Sequence, residues 1–291
     1  MLILLGFAIV IFSVFGGYVM SGGYLGPLLQ PFEFVMIGGA ALGGFVASNN
    51  GKAIKATIST FGRLKRTSKY NQTVYLELMA VQYKLLNKIR RDGMMGVERD
   101  IENPQESPIF SEHPIIMEDP MMMGFLTDYL RLMVSGSTDP FELDELMLHE
   151  IETFEQEAHI PVDALNKVAE GLPAFGIVAA VMGVVKALSA SDISPDLMGE
   201  MIAHALVGTF LGILMGYGFV GPLASRLERQ ADEAVKVLQC IRVTLLASLN
   251  GSVPQLAVEF GRKALSSTER PSFAELEEYV RSASEPRQES E

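Results

Sequence analysis

The chain offers almost no thiol or imidazole chemistry. Cys240 is the single cysteine among 291 residues, and the only histidines are His113, His149, His159 and His204. One cysteine cannot close an internal disulfide, and no His or Cys stands at metal-ligand spacing from another, which excludes a disulfide scaffold and a structural zinc site. The sequence also lacks a Ser/His/Asp or Cys/His signature, a glycine-rich phosphate loop and an HExxH helix. Nothing therefore announces an enzyme or a cofactor site. No basic stripe is present either, which argues against nucleic acid as a partner.

What the chain has is charge confined to part of its length. It carries 23 Lys and Arg against 35 Asp and Glu, a net charge of −12, yet its mean hydropathy is +0.25. From Glu98 to Asp163 there are seventeen acids and two basic residues, Arg99 and Arg131, leaving +3 for everything else. A single soluble globule spreads its charge over one surface; this pattern instead fits a membrane protein with an acidic soluble part.

A hydrocarbon core about 30 Å thick needs about 20 apolar residues at about 1.5 Å each. Four runs meet or approach that length: 2–20, the glycine-rich 33–48, 172–188 and 201–224. The first has no basic n-region and reads as a retained span rather than a cleaved signal. After the second come Lys52, Lys55, Arg63, Lys65, Arg66 and Lys69 with no acid until Glu77, which places that end in the cytoplasm. The link Ser21 to Gln30 is uncharged, and the link Ser189 to Glu200 has Asp192, Asp196 and Glu200 but no basic residue. Both links are expected outside and both termini inside.

The expected fold is an all-α integral membrane protein of four transmembrane helices, with a large cytoplasmic helical insert between spans two and three and a cytoplasmic C-terminal helix. Its divisions are a first hairpin (1–48), the insert (49–170), a second hairpin (171–224) and a tail (225–291). In the insert, Val74, Leu78, Val81, Leu85 and Ile89 mark an amphipathic helix that Gly93 stops. Asn103-Pro104, Ser107-Pro108, His113-Pro114 and Asp119-Pro120 then predict an irregular stretch. Helix follows from Met121 to Val134 and from Pro140 to Ala158. In the tail, Leu227, Ala231, Ala234, Leu238, Ile241 and Leu245 continue span four, and the polar Ser282 to Glu291 is expected to be disordered.

Small residues recur every four positions as Gly39 and Gly43, as Gly208, Gly212 and Gly216, and in a stripe of Gly176, Ala179, Gly183 and Ala187. Lipid gives helices no hydrophobic reason to associate, so such stripes pack either the hairpins or neighbouring copies of the chain. Ion-moving proteins usually keep an ionisable group in mid-membrane. Here Glu33 falls at the outer end of span two and Lys186 near the outer end of span three, where it can snorkel. The middle reads as neutral, so a proton-moving complex needs its carboxylate from another subunit. Thr209 offers a hydroxyl, which in a lone transmembrane Thr most often bonds back to the preceding turn. Pro173 fits a first-turn proline, whereas Pro222 removes a bond from a helix that continues, which predicts a kink.

Four blocks carry a closer likeness: Leu172 to Leu188 (LPAFGIVAAVMGVVKAL), Ile202 to Pro222 (IAHALVGTFLGILMGYGFVGP), Glu98 to Phe110 (ERDIENPQESPIF) and Val258 to Leu276 (VEFGRKALSSTERPSFAEL). They resemble the MotA family, the channel-forming stator subunits of the bacterial flagellar motor, over nearly the whole chain. The resemblance implies a pentamer in the inner membrane around two copies of MotB, whose single helix brings the proton-accepting Asp and whose outer domain grips peptidoglycan. Protons are then the coupling ion, and the rotor protein FliG is turned by charged residues. Arg90 and Glu98 match those positions, and Glu150 is a weaker candidate. Pro173 and Pro222 match family prolines that couple proton passage to conformational change. Thr209 matches a hydroxyl facing the partner helix, and Ala180 stands where sodium-driven relatives carry Thr. Rival readings are an ExbB/TolQ-type energiser of outer-membrane processes and a passive scaffold.

Overall fold

The computed structural model describes residues 2–62, 69–136, 139–190 and 194–284, and every regular element among them is helical. Span one comprises α1 (Leu2–Ile11), a π-helical segment (Phe12–Gly16) and α2 (Gly17–Met20). A 3-10 turn (Gly26–Leu28) leads into α3 (Pro31–Ser48), which is followed by α4 (Gly51–Phe61) and α5 (Gln72–Asp92). Next come a 3-10 turn (Met94–Val97), α6 (Glu98–Glu102), a second 3-10 turn (Pro104–Glu106), α7 (Pro108–Ser111), α8 (Pro114–Met117) and α9 (Pro120–Val134). The remainder is α10 (Pro140–Ser189), α11 (Pro195–Ile213), a π-helical segment (Leu214–Val220), α12 (Gly221–Leu249), α13 (Pro254–Ala264) and α14 (Phe273–Ser284).

The chain forms two compact units, Met1–Thr67 with Ala158–Arg229, and Ser68–Glu157 with Gln230–Glu291. Four helical stretches are long and apolar enough to cross a membrane: Leu2–Met20, Gly26–Ser48, Pro140–Ser189 and Pro195–Leu249. All four expected spans fall within them. Arg63, Lys65, Arg66 and Asp192, used above to orient the chain, lie outside the described residues.

In the second unit the core is conventional. Val74, Leu78, Val81 and Leu85 of α5 are buried, and Ile89 packs beside them, so the apolar stripe found its partners. These partners include Met122, Leu126 and Leu130 of α9 and Val237, Leu238, Ile241 and Leu245 of α12, while α13 and α14 also pack on α5. Burying each large apolar side chain contributes about 1.5–3 kcal/mol. Asn71 caps α5 by accepting from the Val74 N–H at 3.1 Å, and Gly93 ends it at φ +78°, a conformation that L side chains rarely adopt.

The stretch expected to be irregular is instead a series of short helical turns. Pro104, Pro108, Pro114 and Pro120 each open a helical segment. A proline at the first helical position gives up an N–H that would be orphaned there anyway, so these residues punctuate by starting turns rather than by preventing them. Ser107 and Asp119 accept backbone N–H groups as caps of α7 and α9. A second correction concerns the tail: α14 extends through Ser284, so Ser282 to Ser284 are helical, and 285–291 lie outside the described residues.

The helix expected to end at Ala158 continues unbroken as α10, with Pro161 and Pro173 inside it. Pro173 is therefore an interior proline, not one in the first turn of a new helix. At Pro222, the lost backbone bond follows directly on the π-helical Leu214–Val220, where wider turns absorb it. That segment packs against span one, with the Phe7 and Phe219 rings 5.1 Å apart.

Candidate functional site

The membrane-type seam of the first unit is built from the small residues that the sequence repeats. A methyl group added at Gly176 of α10 would lie 2.7 Å from the Gly208 carbonyl oxygen and 3.3 Å from Thr209 Cα in α11. One added at Gly212 would lie 2.5 Å from the Leu172 carbonyl oxygen, and one at Gly183 would lie 2.5 Å from Ala205 Cβ. Gly216, in the π-helical segment, meets the Pro173 ring: a methyl there would stand 3.1 Å from Pro173 Cδ. These stripes pack spans three and four of one chain against each other at backbone contact. By contrast, Gly39 and Gly43 of α3 have nothing within 4 Å of an added methyl.

Three of the residues singled out from sequence sit on this seam. Pro173 touches Gly216, Ala180 is buried at 8% exposure, and Thr209 adjoins the Gly176 contact. Pro222 does not join them and is exposed. Thr209 also departs from the usual habit of helical threonines. The hydroxyls of Thr57, Thr60, Thr127, Thr153 and Thr244 each donate to the carbonyl four residues back. The Thr209 hydroxyl makes no hydrogen bond among the described residues and remains available.

Glu33 stands at the end of span two where the sequence put it, in the first turn of α3, but its burial was not foreseen. It is 8% exposed, and its Oε2 is buried without a hydrogen-bond partner. A methyl added at Gly208 would lie 2.8 Å from that oxygen, 3.2 Å from Ala179 Cβ and 3.3 Å from the Ala180 backbone nitrogen. The carboxyl thus abuts the seam beside Thr209 and Ala180. The available signal was an acid opening an otherwise uncharged run, Glu33 to Ser48, but its burial depends on α11, more than 150 residues away.

In the second unit, Arg90 and Glu98 are both exposed on either side of the Gly93 turn. Their neighbours are internally paired. Lys88 binds Asp100 at 2.6 Å, Arg91 binds Asp92 at 2.8 Å, Arg131 binds Glu102 at 2.9 Å, and Lys84 pairs with Glu112. Ser107 also donates to Asp100 at 2.6 Å. The side chains of Arg90 and Glu98 make no ion pair or hydrogen bond among the described residues, leaving one cation and one anion unmatched. Glu150 differs, because its Oε2 accepts from the Tyr129 hydroxyl at 2.6 Å. Burial, and then that bond to Glu150, push the Tyr129 hydroxyl's pKa upward. A cavity of about 240 Å³ floored by Val258, Leu276 and Val280 contains none of these residues.

The motility protein A N-terminal family matches residues 4–93, and the MotA/TolQ/ExbB proton channel family matches residues 117–240. Motility protein A of Salmonella typhimurium is 55% identical over 288 residues, covering 99% of this chain and 98% of its relative. The chain belongs to the MotA family. Motility protein A of Escherichia coli is 54% identical over 290 residues, covering 100% and 98% of the two chains. The same fold is found in the MotAB structure of C. jejuni, at TM-score 0.76 and 22% identity, covering 93% of this chain and 98% of that one. The flagellar MotAB stator complex of Bacillus subtilis matches at TM-score 0.74 and 24% identity over 92% and 96%. This MotA-family chain is thus a flagellar stator subunit of a proton channel family, built on four helices able to cross a membrane. The features on its seam are to be understood in that setting.

Proposed function

We propose that this MotA-family chain forms a pentamer around two copies of MotB in the bacterial inner membrane. Both termini lie in the cytoplasm, and proton flow is converted into torque on FliG. The observation that carries the reading is full-length identity of 55% with a motility protein A, joined to the seam at Ala180 and Thr209. Lys52, Lys55 and Lys69 after span two support the orientation, because basic loops are retained on the cytoplasmic side. Ala180 supports protons over sodium: a methyl there supplies no oxygen to a desolvated metal cation. The available Thr209 hydroxyl suits a path lined jointly with the MotB helix, and Pro173, packed on Gly216, suits the coupling of proton passage to movement of span four. Each proton supplies about 2.3 kcal/mol per 100 mV of potential, plus the pH contribution.

Arg90 and Glu98 are the rotor contacts in this reading, because they are unmatched where neighbouring charges are satisfied internally. Glu150, held by Tyr129, acts through a less mobile carboxylate. Deleting the gene should leave cells paralysed with complete filaments under the microscope, and returning it should restore swimming. Normal swimming after deletion counts against the stator reading. Arg90→Glu or Glu98→Lys alone should weaken torque, and charge reversal on FliG should recover it; full motility of both single variants removes these residues from the contact.

A further inference from the structure

One helix has no part in the stator reading beyond its sidedness. The helix α4, Gly51–Phe61, begins just after span two ends at Ser48, and both linking residues, Asn49 and Asn50, are extended, so the chain turns out of the span before it coils again. Asn50 caps the new helix by accepting from the Ala53 N–H at 2.8 Å. The two sides of α4 then differ. Ala53 and Thr57 are buried, and the hydroxyls of Thr57, Ser59 and Thr60 donate back to carbonyls of their own helix. Lys52, Lys55, Ile58 and Ser59 face outward, with Ile58 63% exposed. At about 3.6 residues per turn these four share one strip, opposite Ala53 and Thr57.

Neither lysine is explained by its own helix. Lys52 stands in the first turn, where the helix dipole disfavours a cation, and the sequence holds no acid between Glu33 and Glu77. The two side chains make no ion pair or hydrogen bond among the described residues. Retention of basic residues on the cytoplasmic side accounts for cations somewhere in this link. It does not account for their alignment with an exposed isoleucine, which water gives no reason to favour.

Span two supplies a reason. The helix α3, PFEFVMIGGAALGGFVAS, has no Trp, Tyr, Lys or Arg along its length. Such residues hold a span at a set depth and tilt among the lipid headgroups, so this glycine-rich span needs its anchor from an adjoining segment. Directly after it, α4 presents two ammonium groups on long apolar stems beside an aliphatic side chain. That combination fits the phosphate and the first acyl carbons of an anionic phospholipid.

We propose that the outer strip of α4, formed by Lys52, Lys55 and Ile58, is a docking surface for anionic phospholipid that anchors the end of span two to the bilayer. Lys52 and Lys55 bind the lipid phosphate, and Ile58 enters the acyl boundary. The inference goes beyond the stator reading and needs only that α3 spans a membrane.

The test uses the full chain purified in detergent with its MotB partner, and electron spin resonance to measure how much spin-labelled phosphatidylglycerol or phosphatidylcholine the complex immobilises. The expected wild-type preference for phosphatidylglycerol is at least about threefold. Lys52→Gln combined with Lys55→Gln should remove most of it, and Lys52→Arg combined with Lys55→Arg should keep it, with the partner recovered in every case. Arg63, Lys65 and Arg66 are unchanged throughout and hold the sidedness of the link. Equal immobilisation of the two lipids by the wild type overturns the inference, as does an unchanged preference in the double Gln variant. Loss of the partner from that variant would assign the strip to a protein interface, and displacement of the labelled lipid by inorganic phosphate at constant ionic strength would assign it to a free anion; either result overturns the inference. Failure of the unmodified gene to restore swimming would remove the stator reading and leave a measured lipid preference standing.

Discussion

The two units hold themselves together by opposite means. In the second, Tyr75, Phe110, Leu78, Leu126 and their neighbours fill a core with large side chains that are almost completely buried. In the first, the closest approaches are glycine to backbone, at Gly176, Gly212 and Gly216, while Leu2, Phe12, Leu42, Val178 and Leu206 point outward. The contrast follows from the solvent. In water, apolar area is driven inward; among lipid tails that drive is absent, and helices gain by bringing backbones close enough for dispersion contact. A seam made this way has no large side chain to spare, so the unpartnered Glu33 carboxyl and the Thr209 hydroxyl are chemically conspicuous within it.

Substitutions can sharpen or break that contrast. Phe110→Ala should produce the largest loss, about 3–5 kcal/mol for emptying a fully buried aromatic site, measured by denaturant unfolding of the detergent-solubilised chain. Gly212→Val should follow, at about 1–3 kcal/mol from overpacking, because its side chain would meet the Leu172 carbonyl oxygen. Gly43→Val, with nothing within 4 Å, should leave the isolated chain unchanged. Equal destabilisation by the two valines would erase the difference between seam and outer face. Asp119→Ala should cost about 1 kcal/mol as a lost cap of α9, with little added by Lys69, whose side chain is 56% exposed.

The smallest expected effect is one of pH, and it belongs to the second unit. Burial, and then the nearby Lys84, push His113 below its ordinary value of 6.5. The unfolded chain therefore takes up this proton first, and the stability contributed by neutral His113 is lost as pH falls below about 6.5. Burial pushes Glu77, 3.8 Å away, above the usual carboxylate range, which favours the folded state as pH falls and opposes the histidine. His113→Gln should flatten the decline in melting temperature between pH 6.5 and 5.5; an unchanged slope would assign that decline to other groups.

Legibility from sequence differed by the kind of signal. The four spans were readable because length and the absence of charge are local properties. The apolar face of α5 was readable because its spacing is periodic, and Gly93 because the positive φ that ends the helix favours glycine. The proline-rich stretch misled because X-Pro marks either a break or a first helical turn, and neighbouring packing selects between them. Pro173 misled for a related reason, since a proline inside a helix is tolerated where adjacent elements accommodate it, here at Gly216. Of the residues singled out, Arg90 and Glu98 were found through resemblance alone. That they are left unpaired could be seen only once Lys88, Arg91 and Arg131 had been placed against their acids.

By itself the sequence determined what each stretch of this protein can tolerate as surroundings. Uncharged runs must leave water, the acidic block must stay in it, and glycines at four-residue steps must meet another backbone or lie open. Tertiary structure decided which of those options was taken: Gly208 and Gly212 meet α10 while Gly39 and Gly43 remain open, and Glu33 lies against Gly208 instead of in solvent. Composition and period act within one turn or one strip of a helix, whereas the neighbour of a carboxyl is set by which distant helix packs beside it. For Glu33 that helix is α11, and its chemistry became legible only there.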